Sequence, residues 1–532
     1  MSDRQRVVVV TGGGGGIGAA IAESVSRTGA FVVTVDPLVS IDGSEQLPQP
    51  EETTAGRIVA AGGAARASGV SVTDEADVRR LFGELAEEFG GLDAVVNVAG
   101  ISRPTGFAKG SADDWLRVLS VHLDGYRNVL GAALPLMAAA GHGHILGVTS
   151  GSGWRSADAG AYGCAKRAVA SLTWELGRHA PAGVVINAIS PIAATRMVTA
   201  ALAATQPASG SATGGLSLGS MPAPEHLGPL AAHLVSEDFT SCRGRVLFVA
   251  GSEVSVIDEP RLIEVVRCDD VASAARVMDA ATATALGPAE AKQVSGGGSN
   301  ARFGMLFDSP PTNERPSEVP RTCAVVSDRP EVAKAVSGAL AARGAACHTV
   351  HSVAELAGIG SLDGVVVALA GGRPATGAAS DWEHILSEHH GIVERIDAEA
   401  QWTRAVAELA AAKDRQIRLV VITDATNAGG RSQAQAAAQL CRAGRKATRD
   451  LVVPFAISAE SDGADFRHIP AELAAHLVCS AEVDSLAGAE LVSAAGWFGL
   501  RSHPRPIGSI SFGGPAVPAW FDDTLGEVVQ PR

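Results

Sequence analysis

Apolar residues cluster in short unbroken runs, and between the runs they recur at helical spacing. The runs include "VVVV" at Val7–Val10, "FVVTV" at 31–35, "LDAVVNVAG" at 92–100, "GHILGVTS" at 143–150 and "GVVINAISP" at 183–191. Such runs read as strands buried on both faces. Ile17, Ile21 and Val25 lie on one face of an intervening helix. Strand–helix alternation of this kind predicts a parallel sheet covered on both sides. "RVLFVAG" (245–251) reads as the last strand of the unit, and "PLVSIDGSEQLPQPEETTAG" (37–56) as a loop with a short helix start.

Around residues 282–320 the pattern breaks into Gly, Ser and Pro, "VSGGGSN" and "DSPPTNERPSEVP", which reads as a linker. A fainter copy follows. "RTCAVVSDRPEVAKAVSGALAARGAACHTV" (321–350) is again strand, turn, helix, strand. "LDGVVVALAGG" (362–372) parallels "LDAVVNVAG", and "AAHLV" occurs at 231–235 and 474–478. Chance likeness between two Ala-rich halves is the plain alternative, but the shared order of segments favours a duplicated domain. The expected fold is therefore α/β, with two Rossmann-like doubly wound parallel-sheet domains in tandem. Residues 1–285 form the first, 286–317 the linker and 318–532 the second.

Composition narrows the function. A chain of 532 residues exceeds one ordinary core. A net charge of −14 argues against a general nucleic-acid or anionic-membrane role. Seven scattered cysteines, with no C-x-x-C pair or Cys/His cluster, read as reduced thiols of a cytoplasmic protein with no metal site. No run is long enough for a signal peptide or a membrane span.

Candidate chemistry begins at "TGGGGGIG" (11–18). Glycines between a strand and a helix let backbone N–H groups approach a pyrophosphate, whose charge the helix N-terminus favours. A tight turn alone would also use glycine. However, Asp36 closes the next strand, placed for adenosine ribose hydroxyls and against a 2′-phosphate, and Pro37 and Leu38 supply no arginine. NAD is favoured over NADP. The second feature is "YGCAK" (162–166), which puts Tyr162 and Lys166 one helical turn apart. A free phenol, with a pKa near ~10, is a poor base, and a neighbouring ammonium lowers that value. Ser150 ends the strand twelve residues before Tyr162 and is placed to aim its hydroxyl at the same substrate oxygen. Y-x-x-x-K alone is usually a solvated helix face, so the weight lies in the order of the whole set.

That set, "TGGGGGIG", "NVAG" (97–100), Ser150, "YGCAK" and "NAISP" (187–191), resembles the short-chain dehydrogenase/reductase superfamily over about residues 5–255. Within it, "SIDGS", "VHLDG", "TSGSG", "SPIAATRM" and "RGRVLFVAG" are similar to the dehydrogenase unit of peroxisomal multifunctional enzymes and their actinobacterial relatives. The resemblance implies that Gly12, Gly16, Ile17 and Gly18 hold the pyrophosphate, and that Asp36 holds the ribose. It implies that Asn97, Ala99 and Gly100 line the cofactor site, and that Ile192 and Thr195 meet the carboxamide. Tyr162 would be the acid/base, Lys166 would lower its pKa and bond the nicotinamide ribose, and Ser150 would polarise the substrate oxygen. His122 stands where most members have a relay Asn. Its alternatives are catalysis, as "VHL" of the branch implies, or helix packing. Val98, Ser71 and Ile192 also depart from the usual pattern.

The implied activity is interconversion of a secondary alcohol and a ketone, with a 3-hydroxyacyl thioester as one substrate class and a steroid, terpene or polyketide alcohol as the alternative. Residues 198–226 occupy the place of a mobile substrate lid and lack a basic cluster for coenzyme A. A nucleotide-binding scaffold or sensor is the alternative from another class, and the intact Ser150–Tyr162–Lys166 set stands against it. In the second half no glycine turn is present, Asp424 maps to Ser150, and no Tyr or Lys matches; His389 and His390 read as surface or packing residues. That half is expected to be a cofactor-free pseudo-domain packed as a partner subunit would be, so that a homodimer builds a pseudo-tetramer. "AAGWFGLRSHPRP" (494–506) reads as sheet-edge packing or a ligand surface.

Overall fold

The computed structural model describes residues 4–155, 157–195, 221–268, 271–293, 322–371, 377–461 and 468–530. Most of the linker, from 294 onward, and residues 198–220 of the expected lid lie outside them.

The predicted runs form two sheets. The first has nine strands, in the spatial order Pro506–Ser511, Glu253–Ile257, Val246–Ala250, Val184–Pro191, Gly143–Val148, Ala94–Asn97, Val7–Thr11, Phe31–Val35 and Ala64–Ser68. From Val246–Ala250 to Ala64–Ser68 every pairing is parallel, which is the doubly wound arrangement with its strand order reversing at Val7–Thr11. Val7–Val10 are all fully buried, as a continuous apolar run demands. Burial of each such side chain is worth about 1.5–3 kcal/mol. Ala64–Ser68 carries no comparable signal, because as an edge strand it is half exposed and polar.

The second sheet has eight strands, Ala346–Val350, Thr322–Val326, Gly364–Val367, Ile417–Asp424, Val452–Ala459, Glu490–Ala494, Trp497–Arg501 and Leu262–Arg267. Strand for strand it copies the first, without a counterpart of Ala64–Ser68. One feature departs from the sequence reading. Val246–Ala250 is followed by two more strands, and the second of these, Leu262–Arg267, pairs antiparallel with Trp497–Arg501 of the other sheet. In return Pro506–Ser511 pairs with Glu253–Ile257. Each half gives its last strand to the other, so a division near residue 285 cuts through both sheets. Hydrophobic alternation identifies strands without saying which sheet receives them.

The halves also share a core. The long helix Gly160–His179 lies against helix Ala428–Ala447, and most residues of both are buried. Ser171 and Ser432 hydroxyls are 2.9 Å apart, Arg167 donates to Gln435 at 2.9 Å, and Arg167 forms a fully buried ion pair with Glu490 at 2.5 Å. Trp115, with the Arg404 guanidinium 4.6 Å over its ring, joins the same apolar cluster as Leu172, Ile396 and Leu440. Among the described residues no helix is long and apolar enough to cross a membrane.

Candidate active site

At the reversal in strand order the first sheet opens into a cavity of about 630 Å³. One wall is the turn Gly12–Gly15 between strand Val7–Thr11 and helix Gly16–Ser26. Gly12 has φ +66°, and a Cβ there would fall 2.8 Å from the backbone N of Ala99. Side chains are thereby excluded and the backbone is left open to a ligand. Asp36 lines the groove, accepting from Gly14 N at 3.0 Å and Leu38 N at 2.8 Å. Residues 37–47 fold over the groove edge: Ile41 O accepts from Ser102 N at 2.8 Å, and Asp42 O from Arg103 Nε at 2.7 Å. Ser40, Ile41, Gly43 and Leu47 thus join the lining. Sequence reasoning gave this loop no role, because its contacts are backbone hydrogen bonds to a distant segment.

The other end gathers the titratable groups. Thr149 Oγ1 donates to Lys166 O at 2.7 Å and ties the end of strand Gly143–Val148 to helix Gly160–His179. The Ser150 and Tyr162 hydroxyls are hydrogen-bonded. Lys166 Nζ donates to Val148 O at 2.7 Å and stands 5.7 Å from the Tyr162 ring centroid. His122 meets that ring edge-on at 5.1 Å. It lies in a π-helical turn, Ser120–Asp124, an irregularity frequent at functional sites. Its Nε2 donates to Ile101 O at 2.7 Å, and its buried Nδ1 has no partner among the described residues. A Cβ on Gly100 would lie 2.2 Å from the imidazole Cε1, so a glycine at 100 makes room for a histidine at 122.

Electrostatics revise one expectation. Burial pushes the Tyr162 phenol above its ordinary value, opposed by the Ser150 hydrogen bond and the charge of Arg155. Lys166 is not the main counterweight, because burial brings its own pKa down to about 7 and so weakens it as a cation. His122 is driven well below its ordinary value, first by burial and then by the Lys166 charge, and is neutral.

Of the expected site residues, Gly12, Gly16, Ile17, Gly18, Asp36, Ala99, Gly100, His122, Ser150, Tyr162, Lys166 and Thr195 line this one cavity, as does Ser71. Two do not. Asn97 is buried behind the wall, accepting from Thr11 Oγ1 at 2.8 Å. Ile192 packs against the cluster of Trp154, Trp174 and Phe248. Arg155 was missed: it is only 7% exposed, and nothing in its sequence neighbourhood marks it. The glycine cradle, the unpartnered His122 Nδ1 and a lysine bonded to a backbone carbonyl suit a dinucleotide laid along the groove. Among the described residues no His, Cys, Asp and Glu cluster suits a metal.

Residues 6–206 match the family described as short chain dehydrogenase. The cis-4-hydroxycyclohexanecarboxylate dehydrogenase of Sinomonas cyclohexanicum is 33% identical over 255 residues, 47% of this chain and 98% of that protein. The chain belongs to the short-chain dehydrogenase/reductase family. The short-chain reductase NovJ of Streptomyces niveus is 36% identical over 37% of this chain and 72% of that protein. The peroxisomal hydratase-dehydrogenase-epimerase of Saccharomyces cerevisiae is 32% identical over 37% of this chain and 22% of that protein. The N-domain of a bacterial malonyl-CoA reductase, solved with NADP, superposes with a TM-score of 0.64 at 16% identity, covering 92% of this chain and 97% of that one. At that identity the likeness speaks for the tandem fold alone. As a short-chain dehydrogenase/reductase, the protein is an oxidoreductase that takes a nicotinamide cofactor and acts on a small molecule.

Among the described residues, the second half of this family member has no glycine turn after its first strand. Helix Pro330–Ala342 follows its strand after Ser327, Asp328 and Arg329. Arg329 forms an ion pair with Asp424 at 3.2 Å. His389 is fully buried against the Ser432 hydroxyl at 2.9 Å, and burial brings its pKa down to about 4.

Proposed function

We propose that the protein is an NAD-dependent dehydrogenase interconverting a secondary alcohol and a ketone, with Tyr162 as proton donor and acceptor. The observation that carries this reading is the meeting of Ser150, Tyr162, Lys166 and His122 at one end of a cavity whose other end is a glycine turn and Asp36. Gly12, Gly16, Ile17 and Gly18 would hold the pyrophosphate, Asp36 the adenosine ribose, Ala99 and Gly100 the wall, Thr195 the carboxamide and Lys166 the second ribose. The bound nicotinamide supplies hydride acceptance and donation. The protein supplies the proton. Tyr162, neutral at ordinary pH because it is buried, gives its proton to the forming alkoxide in reduction. In oxidation the phenolate must form first, and Ser150 and Arg155 favour it. His122 fixes Nε2–H on Ile101 O and keeps Nδ1 as an acceptor.

NAD is preferred because Asp36 occupies the ribose end. Among the described lining residues the cations are Lys166 and Arg117, and Arg117 is held by Asp113 at 2.8 Å. The name of the Sinomonas relative supports a ring secondary alcohol, and that of the yeast relative keeps a 3-hydroxyacyl thioester as the second class. The catalytic unit is assigned to residues 1–285, less strand Leu262–Arg267 and with strand Pro506–Ser511 added. The cysteines, mostly buried and unbridged, fit a cytoplasmic setting. Two chains would pair as a pseudo-tetramer.

The test is NADH formation from NAD⁺ with cis-4-hydroxycyclohexanecarboxylate, cyclohexanol and 3-hydroxybutyryl-CoA. Oxidation should rise with pH as Tyr162 ionises, while reduction of the matching ketone holds at neutral pH. Tyr162→Phe should lower turnover about 10²–10⁴-fold and keep NADH binding. Full turnover in Tyr162→Phe ends the reading.

A further inference from the structure

The segment between Ser150 and Tyr162 is held from the opposite half of the molecule. It opens with the turn Gly151–Gly153, followed by Trp154 and Arg155. Gln439, on helix Ala428–Ala447, donates from Nε2 to Ser152 O at 3.0 Å and to Arg155 O at 2.7 Å. One helical turn nearer, Gly163 leaves room for this reach: a Cβ there would lie 3.0 Å from Ser152 O and 3.8 Å from Gln439 Cγ. Arg442, on the same helix, donates to Trp154 O. Three of the loop's carbonyls, those of Ser152, Trp154 and Arg155, are therefore read by two side chains of the second half.

The loop matters because of what it carries. The residue just before it, Ser150, is hydrogen-bonded to Tyr162, and its last is Arg155, whose guanidinium lies against Gly151. A Cβ at that position would fall 2.2 Å from an Arg155 nitrogen. Trp154 anchors the middle, fully buried. The charged or titratable groups around Tyr162 among the described residues are Arg155, Lys166 and His122. Lys166 and His122 are fixed by bonds within the first half, to Val148 O and Ile101 O. The backbone that carries Arg155 is bonded to the second half.

We propose that the second half is an active-site clamp, in which Gln439 and Arg442 are positioning residues that hold the 151–155 loop by its carbonyls and keep Arg155 facing Tyr162. This rests on the reading of Tyr162 as the acid/base. It gives the duplicated half a function other than filling a subunit interface. Gln439 is the sharper probe, because it is uncharged. Replacing it adds and removes no charge, so any change in the Tyr162 titration must come through geometry.

The chain has two tyrosines, Tyr126 and Tyr162. Burial pushes Tyr126 up to about 12, so phenol ionisation below that range reports on Tyr162. The experiment is a ¹³Cζ-tyrosine NMR titration of the full chain, with Tyr162→Phe to identify the signal. Gln439→Met, close in size and unable to donate, should move the Tyr162 titration up by about one pH unit, the effect of weakening one nearby cation. Arg442→Met should act in the same direction. Arg155→Gln should shift it at least as far, and adding Gln439→Met to Arg155→Gln should shift it no further. The pH profile of cis-4-hydroxycyclohexanecarboxylate or cyclohexanol oxidation should move with the titration, with kcat reduced and KM unchanged. Arg431 lies on the same helix as Gln439 and pairs with Glu175 of helix Gly160–His179; Arg431→Met breaks that pair, is the control and should cost stability without a shift. A folded Gln439→Met protein with the native titration overturns the clamp, and so does an equal shift in Arg431→Met. If the shift occurs while Tyr162→Phe keeps full turnover, the clamp geometry stands and the acid/base reading falls.

Discussion

The two turns that follow strands Val7–Thr11 and Thr322–Val326 are built from opposite kinds of residue. In the first half, four glycines, Gly12–Gly15, join strand to helix and leave bare backbone along a cavity. In the second, Ser327 donates to Ala368 O at 2.7 Å, Asp328 accepts from Ala370 N at 2.7 Å, and Arg329 reaches Asp424, which stands where Ser150 stands in the first. One turn offers its N–H groups outward, and the other closes on itself with side chains. Yet the strand order is the same, because the order is set by the buried valines and helix faces and not by the turn. A cofactor site can be lost by a few residues without loss of the fold. The long helix of each half shows the same exchange. Gly160–His179 presents Tyr162 and Lys166 to a groove, whereas Ala428–Ala447 presents Gln439 and Arg442 to its neighbour.

The bond between the halves is the costliest to break. Arg167→Met leaves the Glu490 carboxylate, now held down at about 2 chiefly by the Arg167 charge against its burial, without its counterion. We expect a loss of about 3–5 kcal/mol in chemical denaturation, and a loss under about 1 kcal/mol would show that the pair is dispensable. The same carboxylate sets a pH limit. Because its folded value lies below the unfolded one, its contribution is present above the ordinary carboxylate range and fades as pH falls toward 2. Next comes the groove. Gly12→Ala would force a side chain toward Ala99 at a positive φ and make the first half more like the second. NADH affinity, read by fluorescence titration, should fall at least ~100-fold, about 2.7 kcal/mol, in a protein whose far-UV circular dichroism is native. Unchanged affinity would refute the cradle. The smallest effect belongs to the closed turn. Asp424→Ala removes a partly exposed ion pair and should change stability by about 0.2–1 kcal/mol in thermal melts. A large loss would mean that this pair holds the second half together.

Much of this was legible along the chain. The valine runs announce strands because a strand buried on both faces has no polar alternation. "TGGGGGIG" and "YGCAK" announce the groove because glycines and a Tyr–Lys pair are needed at fixed spacing. Strand Ala64–Ser68 was not legible, nor was the part that the loop 37–47 takes in lining the groove, since an edge strand leaves no hydrophobic period and the loop is held by hydrogen bonds to a distant segment. Asn97 and Ile192 carry the right motif positions and still face away from the cavity.

By itself, the order of residues determined the α/β class, the duplication and the choice of Ser150, Tyr162 and Lys166 as residues that line one cavity, because each depends on local spacing. Only the folded chain decided that the halves trade their last strands, that Arg155 is buried beside the site, and that Gln439 bonds to a loop nearly three hundred positions away. Those facts arise from long-range packing and desolvation, which depend on what surrounds a group in space.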